Sequence, residues 1–180
     1  MRRPLFAIRP EPGLSATVTA AQAVGLAVHG EPLFTVRAVA WTAPDPAGVD
    51  GLLIGSANAL RHGGPALEPL RGKPAYVVGE ATAQVARDAG FPVVAVGEGG
   101  LQGVLDGLAG RRLTLLRVAG AEHVPLVPPP GVAILLRVAY ETVALPLPAA
   151  FAARLRQGGV VLLHRSEEHT SELQSPTIIS

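Results

Sequence analysis

The stretch Pro74-Ala-Tyr-Val-Val-Gly-Glu-Ala-Thr-Ala-Gln-Val-Ala-Arg-Asp-Ala-Gly90 decides the fold. It opens with a β-type apolar run, Tyr76, Val77 and Val78, and breaks at Gly79. Helical spacing follows: Thr82, Val85, Ala86 and Ala89 share one face while Gln84, Arg87 and Asp88 lie elsewhere. The pattern is a strand, a tight turn and a helix. Gly79 permits the sharp turn without a Cβ clash, so the free amides of Glu80, Ala81 and Thr82 point at whatever sits above the strand end. Such an end attracts anions. The turn alone is not diagnostic, because every doubly wound domain has several and most bind nothing.

Working outward, the same unit recurs. Leu52 to Ile54 reads as a strand, Gly55-Ser56 as a turn, and Ala57 onward as a short helix capped by Ser56. Beyond the central stretch come a strand over Val93 to Val96, a helix over Leu101 to Leu108, and a strand over Leu113 to Val118 ending at Ala119-Gly120. Nearer the start, Leu5 to Ile8 reads as a strand and Arg9 to Gly13 as a loop. Ser15 is the expected N-cap of a helix with Val18, Ala21 and Val24 inward and Gly25 just past its end. Near the other end, Ala149 to Arg156 reads as a helix and Val160 to Leu163 as an apolar strand of the buried kind. Repeated β-turn-α units imply parallel sheets covered by helices, with ligands at the carboxyl ends of the strands. Two segments break the rhythm. Leu26 to Val39 and Val132 to Tyr140 each read as one long extended run, the first ending at the turn-rich Thr42 to Gly48, the second preceded by three prolines, 128 to 130. Two such crossings imply a two-stranded connection between domains.

At 180 residues and 48% hydrophobic content the chain has material for one ordinary domain or two small ones. No apolar run approaches the roughly 20 residues that span a bilayer, and Arg9 stands where a signal peptide would need its apolar centre. The expectation is a cytoplasmic protein with no membrane partner. The absence of cysteine excludes disulfides, thiolate metal sites and cysteine nucleophiles. A net charge of +1, without a basic cluster, leaves neither phosphate-backbone binding nor base stacking its usual material, so no nucleic-acid partner is expected.

At residue 165 the composition changes. Residues 1 to 164 hold only Ser15 and Ser56 as serines, whereas residues 165 to 180 hold four serines and no Ala, Gly or Val. Arg165 to Ser175 resembles the in-frame translation of a common sequencing-library adapter, so residues 165 to 180 read as a non-native tail and the natural sequence as continuing past His164.

Several catalytic constellations fail on inspection. Ser56 is no nucleophile elbow, because Ile54 and Asn58 stand where that motif needs glycines. Gly97-Glu98-Gly99-Gly100 follows a strand as a dinucleotide loop would, but Gln102 occupies the third glycine position. The five histidines show no paired ligand spacing, so no metal is expected and surface or capping roles fit them better. Tyr140, at the end of the second crossing, reads as a packing aromatic before any family is considered.

In order along residues 5 to 164, these pieces resemble the uroporphyrinogen-III synthase family. They are Arg9-Pro10, Pro32-Leu33, Ser56-Ala57-Asn58-Ala59, Val78-Gly79-Glu80-Ala81-Thr82-Ala83, Gly120, and Val138-Ala139-Tyr140-Glu141-Thr142. The resemblance implies two flavodoxin-like, doubly wound parallel-sheet α/β domains, the second inserted in the first. The first comprises residues 1–36 and 148–164, the linkers 37–47 and 137–147, and the second 48–136. It implies a cofactor-free lyase that closes the linear tetrapyrrole hydroxymethylbilane into uroporphyrinogen III, losing water and inverting the last pyrrole ring. It carries Tyr140 over as the donor to the leaving hydroxyl, and Arg9, Ser56, Ala57, Gly79, Glu80, Ala81, Thr82 and Gly120 as substrate-binding positions. A phenol with a reference pKa of about 10 is protonated at neutral pH and can donate. Ile8 and Gly55 depart from the family's usual threonines at those places. The resemblance further implies on the order of 60 to 80 more residues completing the first domain. The chain as written is therefore expected to be inactive, a monomer, and incompletely folded in its first domain. The alternative is a non-catalytic ligand-sensing or regulatory domain on the same fold.

Overall fold

The computed structural model describes residues 3–162, which divide into two compact units, residues 3–36 with 142–162, and Arg37–Glu141. The readings of residues 165 to 180, and of His164 as the last native residue, lie outside the described residues. The strands in chain order are β1 Leu5–Ala7, β2 Val28–Gly30, β3 Phe34–Ala38, β4 Gly51–Ile54, β5 Ala75–Val78, β6 Val93–Gly97, β7 Leu113–Gly120, β8 Val132–Ala144 and β9 Val160–Leu162. The helices are α1 Gly13–Ala23, α2 Ala57–His62, α3 Glu80–Asp88, α4 Leu101–Asp106 and α5 Ala149–Arg156.

The first unit holds a parallel three-stranded sheet in the order β2-β1-β9. Its small core centres on Phe6, whose ring meets Phe151 of α5 edge-on at 5.4 Å and stacks on His29 at 5.6 Å. Two expectations are corrected here. Helix α1 begins ahead of Ser15, at Gly13, with Pro12 as its cap; Ser15 instead donates from its amide and its hydroxyl to the two carboxylate oxygens of Glu11, at 3.1 and 2.9 Å. An acid four residues earlier thus takes the capping role. Among the described residues strand β9 is an edge rather than a buried strand, and its Val160 and Val161 are both 42% exposed.

The extended run expected over Leu26 to Val39 is two strands in two different sheets. Gly30 ends β2, and Pro32, which cannot donate to a ladder, keeps Glu31 to Leu33 out of both strands.

The second sheet is six-stranded, in the order β3-β8-β7-β4-β5-β6, with β8 through β6 mutually parallel. Strand β3 joins at the edge in the opposite sense: Val39 N donates to Ala139 O and Leu145 N to Leu33 O, both at 2.8 Å, and Arg37 bonds Glu141 between them. The connectivity fixes which helix covers which face. From β4 through α2 to β5, and on through α3 to β6, the chain steps outward; from β6 through α4 it returns across the sheet to β7. Right-handed crossovers then put α2 and α3 on one face and α4 on the other. Alternation along the strands matches, since Leu53, Tyr76, Val78 and Leu115 form one core cluster with Leu101, Val104, Leu105 and Leu108 from α4 and its C-terminal turn. Leu52, Ile54, Val77 and Leu116, also fully buried, face the other way.

Candidate active site

Parallel strands bring their carboxyl ends to one edge, so the turns after neighbouring strands share one surface. Of the strands β8, β7, β4 and β5, adjacent in that order, each contributes a residue singled out by sequence. A register shift between Ala119 and Gly120 pairs Gly120 with Tyr140, which sets the phenol level with the end of β7 although β8 itself continues to Ala144. The ring lies on Gly120: a Cβ there would sit 2.7 Å from Cε2 and 2.9 Å from Cζ of Tyr140. Only glycine leaves room for the phenol in this position. Ala121 N donates to Tyr140 O at 2.8 Å, which fixes the two backbones together, and Tyr140 is 6% exposed.

After β4, Ser56 takes up the expected capping role, accepting from Asn58 N at 3.3 Å, and Ala57 is buried behind it. After β5, Gly79 has φ 75, a conformation open to glycine and costly for other residues, and starts α3 without a side-chain cap. The first intrahelical bond is Ala83 N to Gly79 O, so the amides of Glu80, Ala81 and Thr82 precede the helical ladder and face outward from its end. Thr82 is 4% exposed. The Glu80 carboxylate is neutralised by an ion pair with Arg87 one helical stretch further on, which removes a negative charge from an end built to attract anions.

Arg9 belongs to the other unit. Its guanidinium lies over Gly13, where a Cβ would be 2.5 Å from Nε, and donates from Nη1 to Thr17 Oγ1 at 3.3 Å.

Of the histidines, to which the sequence assigns only surface or capping roles, one packs on the phenol and another bonds the backbone of Gly120. His62, the last residue of α2, presents its ring to Tyr140 at a centroid distance of 6.3 Å. Burial, and then the Arg61 guanidinium beside it, hold its pKa below the ordinary 6.5. His123 follows Gly120 by three residues and its Nδ1 stands 2.9 Å from Gly120 O; a carbonyl only accepts, so Nδ1 carries the hydrogen and the other ring nitrogen faces elsewhere. The segment bearing it is pinned by Arg117, 3% exposed on β7, which donates from Nη1 to Val124 O at 2.7 Å. Trp41 donates from Nε1 to Gly63 O at 2.8 Å and so ties the end of α2 to the segment after β3. No spacing rule marks these residues, because their proximity comes from sheet register. Among the described residues no group of three or more metal-ligating side chains occurs. A groove of about 460 Å³ opens at the opposite, amino ends of β4, β7 and β8, lined by Asp50, Arg112 and Thr114, and takes in none of the residues above.

The sequence family described as uroporphyrinogen-III synthase HemD matches residues 15–130. This chain belongs to the uroporphyrinogen-III synthase family. The matched stretch includes Ser56, Thr82 and Gly120; Arg9 precedes it and Tyr140 follows it. Among solved structures, the fold resembles that of uroporphyrinogen-III synthetase from Helicobacter pylori 26695. The identity is 20%, with 86% of this chain and 68% of that chain covered and a TM-score of 0.54. A mutant uroporphyrinogen III synthase from the extremely thermophilic bacterium Thermus thermophilus matches at 19% identity, with 79% and 63% of the two chains covered and a TM-score of 0.50. The chain therefore spans about two thirds of the length of these synthase structures. No curated protein sequence matches it. The mixed α/β architecture with parallel sheets is that of the synthase fold, and among the described residues no helix is long and apolar enough to cross a membrane.

Proposed function

We propose that this chain carries the bilane site of a uroporphyrinogen-III synthase, a hydro-lyase that closes hydroxymethylbilane with loss of water and inversion of the last ring. The observation that supports the reading is the phenol of Tyr140 seated on Gly120, on the same carboxyl edge of the sheet as the open amide end of α3 and the capped start of α2. The electron-rich pyrrole assists departure of hydroxide, so the protein has to supply a proton, hold the chain curled and delay closure to the wrong isomer. Tyr140 supplies the proton. The substrate's carboxylates take hydrogen bonds from Glu80, Ala81 and Thr82 amides and from the Thr82 hydroxyl, each charged bond contributing roughly 1.5 to 3 kcal/mol. Positioning then accounts for most of the catalysis.

On this reading the antiparallel β3 and β8 are the two-stranded connection between two α/β domains, and the three-stranded sheet belongs to the first of them. Binding is tested with uroporphyrin III, a stable tetrapyrrole carrying the same carboxylates, by quenching of the single tryptophan, Trp41. Saturable binding is expected, weakened about tenfold or more by Ala81→Glu, which places a carboxylate on the exposed first turn of α3 where it also favours the helix. No saturable binding, or binding indifferent to Ala81→Glu, overturns the site. A cyclisation assay resolving type III from type I product reads turnover separately; where turnover is seen, Tyr140→Phe is expected to lower it by about 10²- to 10⁴-fold.

A further inference from the structure

The segment after β7 carries a titratable side chain that has no part in the proton transfer to the leaving hydroxyl. His123 is half-buried, three residues beyond Gly120, and its Nδ1 lies 2.9 Å from Gly120 O. Because a carbonyl only accepts, Nδ1 keeps its hydrogen in the neutral ring and in the cation alike, and the proton that comes and goes belongs to Nε2. Among the described residues no other hydrogen bond or ion pair engages this ring. The backbone it bonds is the one beneath the phenol, since a Cβ on Gly120 would meet the Tyr140 ring at 2.7 Å. Its own segment is held as well: Arg117 Nη1 donates at 2.7 Å to the carbonyl of Val124, the next residue. A pinned imidazole with one unengaged nitrogen thus stands just past the carboxyl end of β7, on the edge that also carries Tyr140, Ser56 and the start of α3.

We propose that His123 binds a carboxylate of the tetrapyrrole through Nε2 and takes up a proton as it does so, which makes binding proton-linked. The inference rests on the reading of this edge as the bilane site and names a ligand contact within it. Charge carries the argument. The donors already assigned to the substrate's carboxylates, the amides of Glu80, Ala81 and Thr82 and the Thr82 hydroxyl, are all uncharged, and the Arg87 guanidinium is paired with Glu80. A polyanion held by neutral donors raises the proton affinity of a base within reach, and an imidazole with Nδ1 already fixed has only the hydrogen on Nε2 to gain. The N–H···O⁻ bond so formed is charge-assisted, about twice as strong as a neutral one. The charged and titratable groups about the ring are the exposed Glu122 beside it in sequence, Arg117 on β7, and Tyr140 on β8, whose ring rests on Gly120. Glu122 favours the cation and Arg117 opposes it in the free and the bound state alike, so the ligand supplies the change on binding. The sign follows: the ligand lifts the His123 midpoint, so affinity is greatest below the free midpoint and falls as pH rises from there to the bound midpoint.

The test is a pH series of uroporphyrin III binding to the full chain by Trp41 quenching, with the His123 ring followed by NMR and assigned by His123→Gln. The ligand is expected to raise the His123 midpoint by about one pH unit or more, and affinity to fall about tenfold for each unit between the free and bound midpoints. Calorimetry in two buffers of different ionisation enthalpy should count up to one proton taken up per ligand in that window, a readout that a merely structural histidine would not move. His123→Gln, which offers an amide nitrogen near the place of Nε2 and cannot titrate, keeps binding and loses this pH dependence. His123→Leu weakens binding about tenfold or more at the acid end of the window and leaves it unchanged at the alkaline end. A midpoint that the ligand leaves in place, or a pH profile that is the same in His123→Gln, overturns the proposal; saturable binding that still responds to Ala81→Glu then leaves the bilane site standing. Absence of saturable binding at every pH overturns both.

Discussion

Replacing Gly120 by alanine tests the seat of the phenol directly. The added Cβ would lie 2.7 Å from Cε2, 2.9 Å from Cζ and 3.2 Å from Oη of Tyr140. Carbon atoms attract at about 3.5–4.0 Å, so the ring must retreat by nearly an ångström. Tyr140 is buried and bordered by His62, and retreat displaces a packed neighbour. Overpacking of this kind costs about 1–3 kcal/mol. The backbone offers no competing penalty, because Gly120 is not among the glycines with positive φ; alanine there would otherwise stabilise by about 0.4–1 kcal/mol through the unfolded chain. The net expectation is a loss of about 1–2 kcal/mol in urea unfolding followed by Trp41 fluorescence, which reports the unit that holds the site. In a Tyr140→Ala background the obstruction is gone, and Gly120→Ala becomes neutral or stabilising. The double-mutant cycle should therefore give a coupling of about 1–3 kcal/mol. An equal penalty in both backgrounds, or a more stable single mutant, refutes the reasoning.

Ser56→Ala removes the acceptor for Asn58 N and should cost about 1 kcal/mol of stability, read by urea denaturation, and restored in part by Ser56→Asp. Trp41→Phe leaves the Gly63 carbonyl without its donor and should cost about 1 kcal/mol by circular dichroism, with the Tyr140 ring signals shifted because the end of α2 is loosened. The folded state lowers the His62 pKa from 6.5, so its contribution to stability is complete above that value and declines as pH falls through it toward the folded midpoint; His62→Gln should flatten the stability profile as pH falls below 6.5.

The parts of the fold that sequence discloses are those where periodicity changes and a cap residue marks the change. Tyr76-Val77-Val78 gives way at Gly79 to helical spacing, and Leu52 to Ile54 gives way at Ser56, so both strand-turn-helix units are legible, and with them the uncapped start of α3. Where two residues compete for one role, local reading fails: Ser15 has the chemistry of a cap, but Glu11 reaches its amide first and α1 starts earlier. Apolar character alone also misleads, since Leu26 to Val39 is apolar throughout much of its length yet is divided between two sheets at Gly30-Glu31-Pro32. The phenol's surroundings lie further beyond reach. Gly120 meets Tyr140 only because the β7–β8 ladder slips between Ala119 and Gly120, and His62 meets it only because α2 lies across the ends of strands that follow it by more than fifty residues. An irregular ladder is the feature that joins these facts. Had the register run on unchanged from Ala119, Val138 would be followed opposite Gly120 by Ala139, and the phenol would point to the other face of the sheet, away from His62. The slip, more than any single side chain, is what turns a packing tyrosine into a candidate acid.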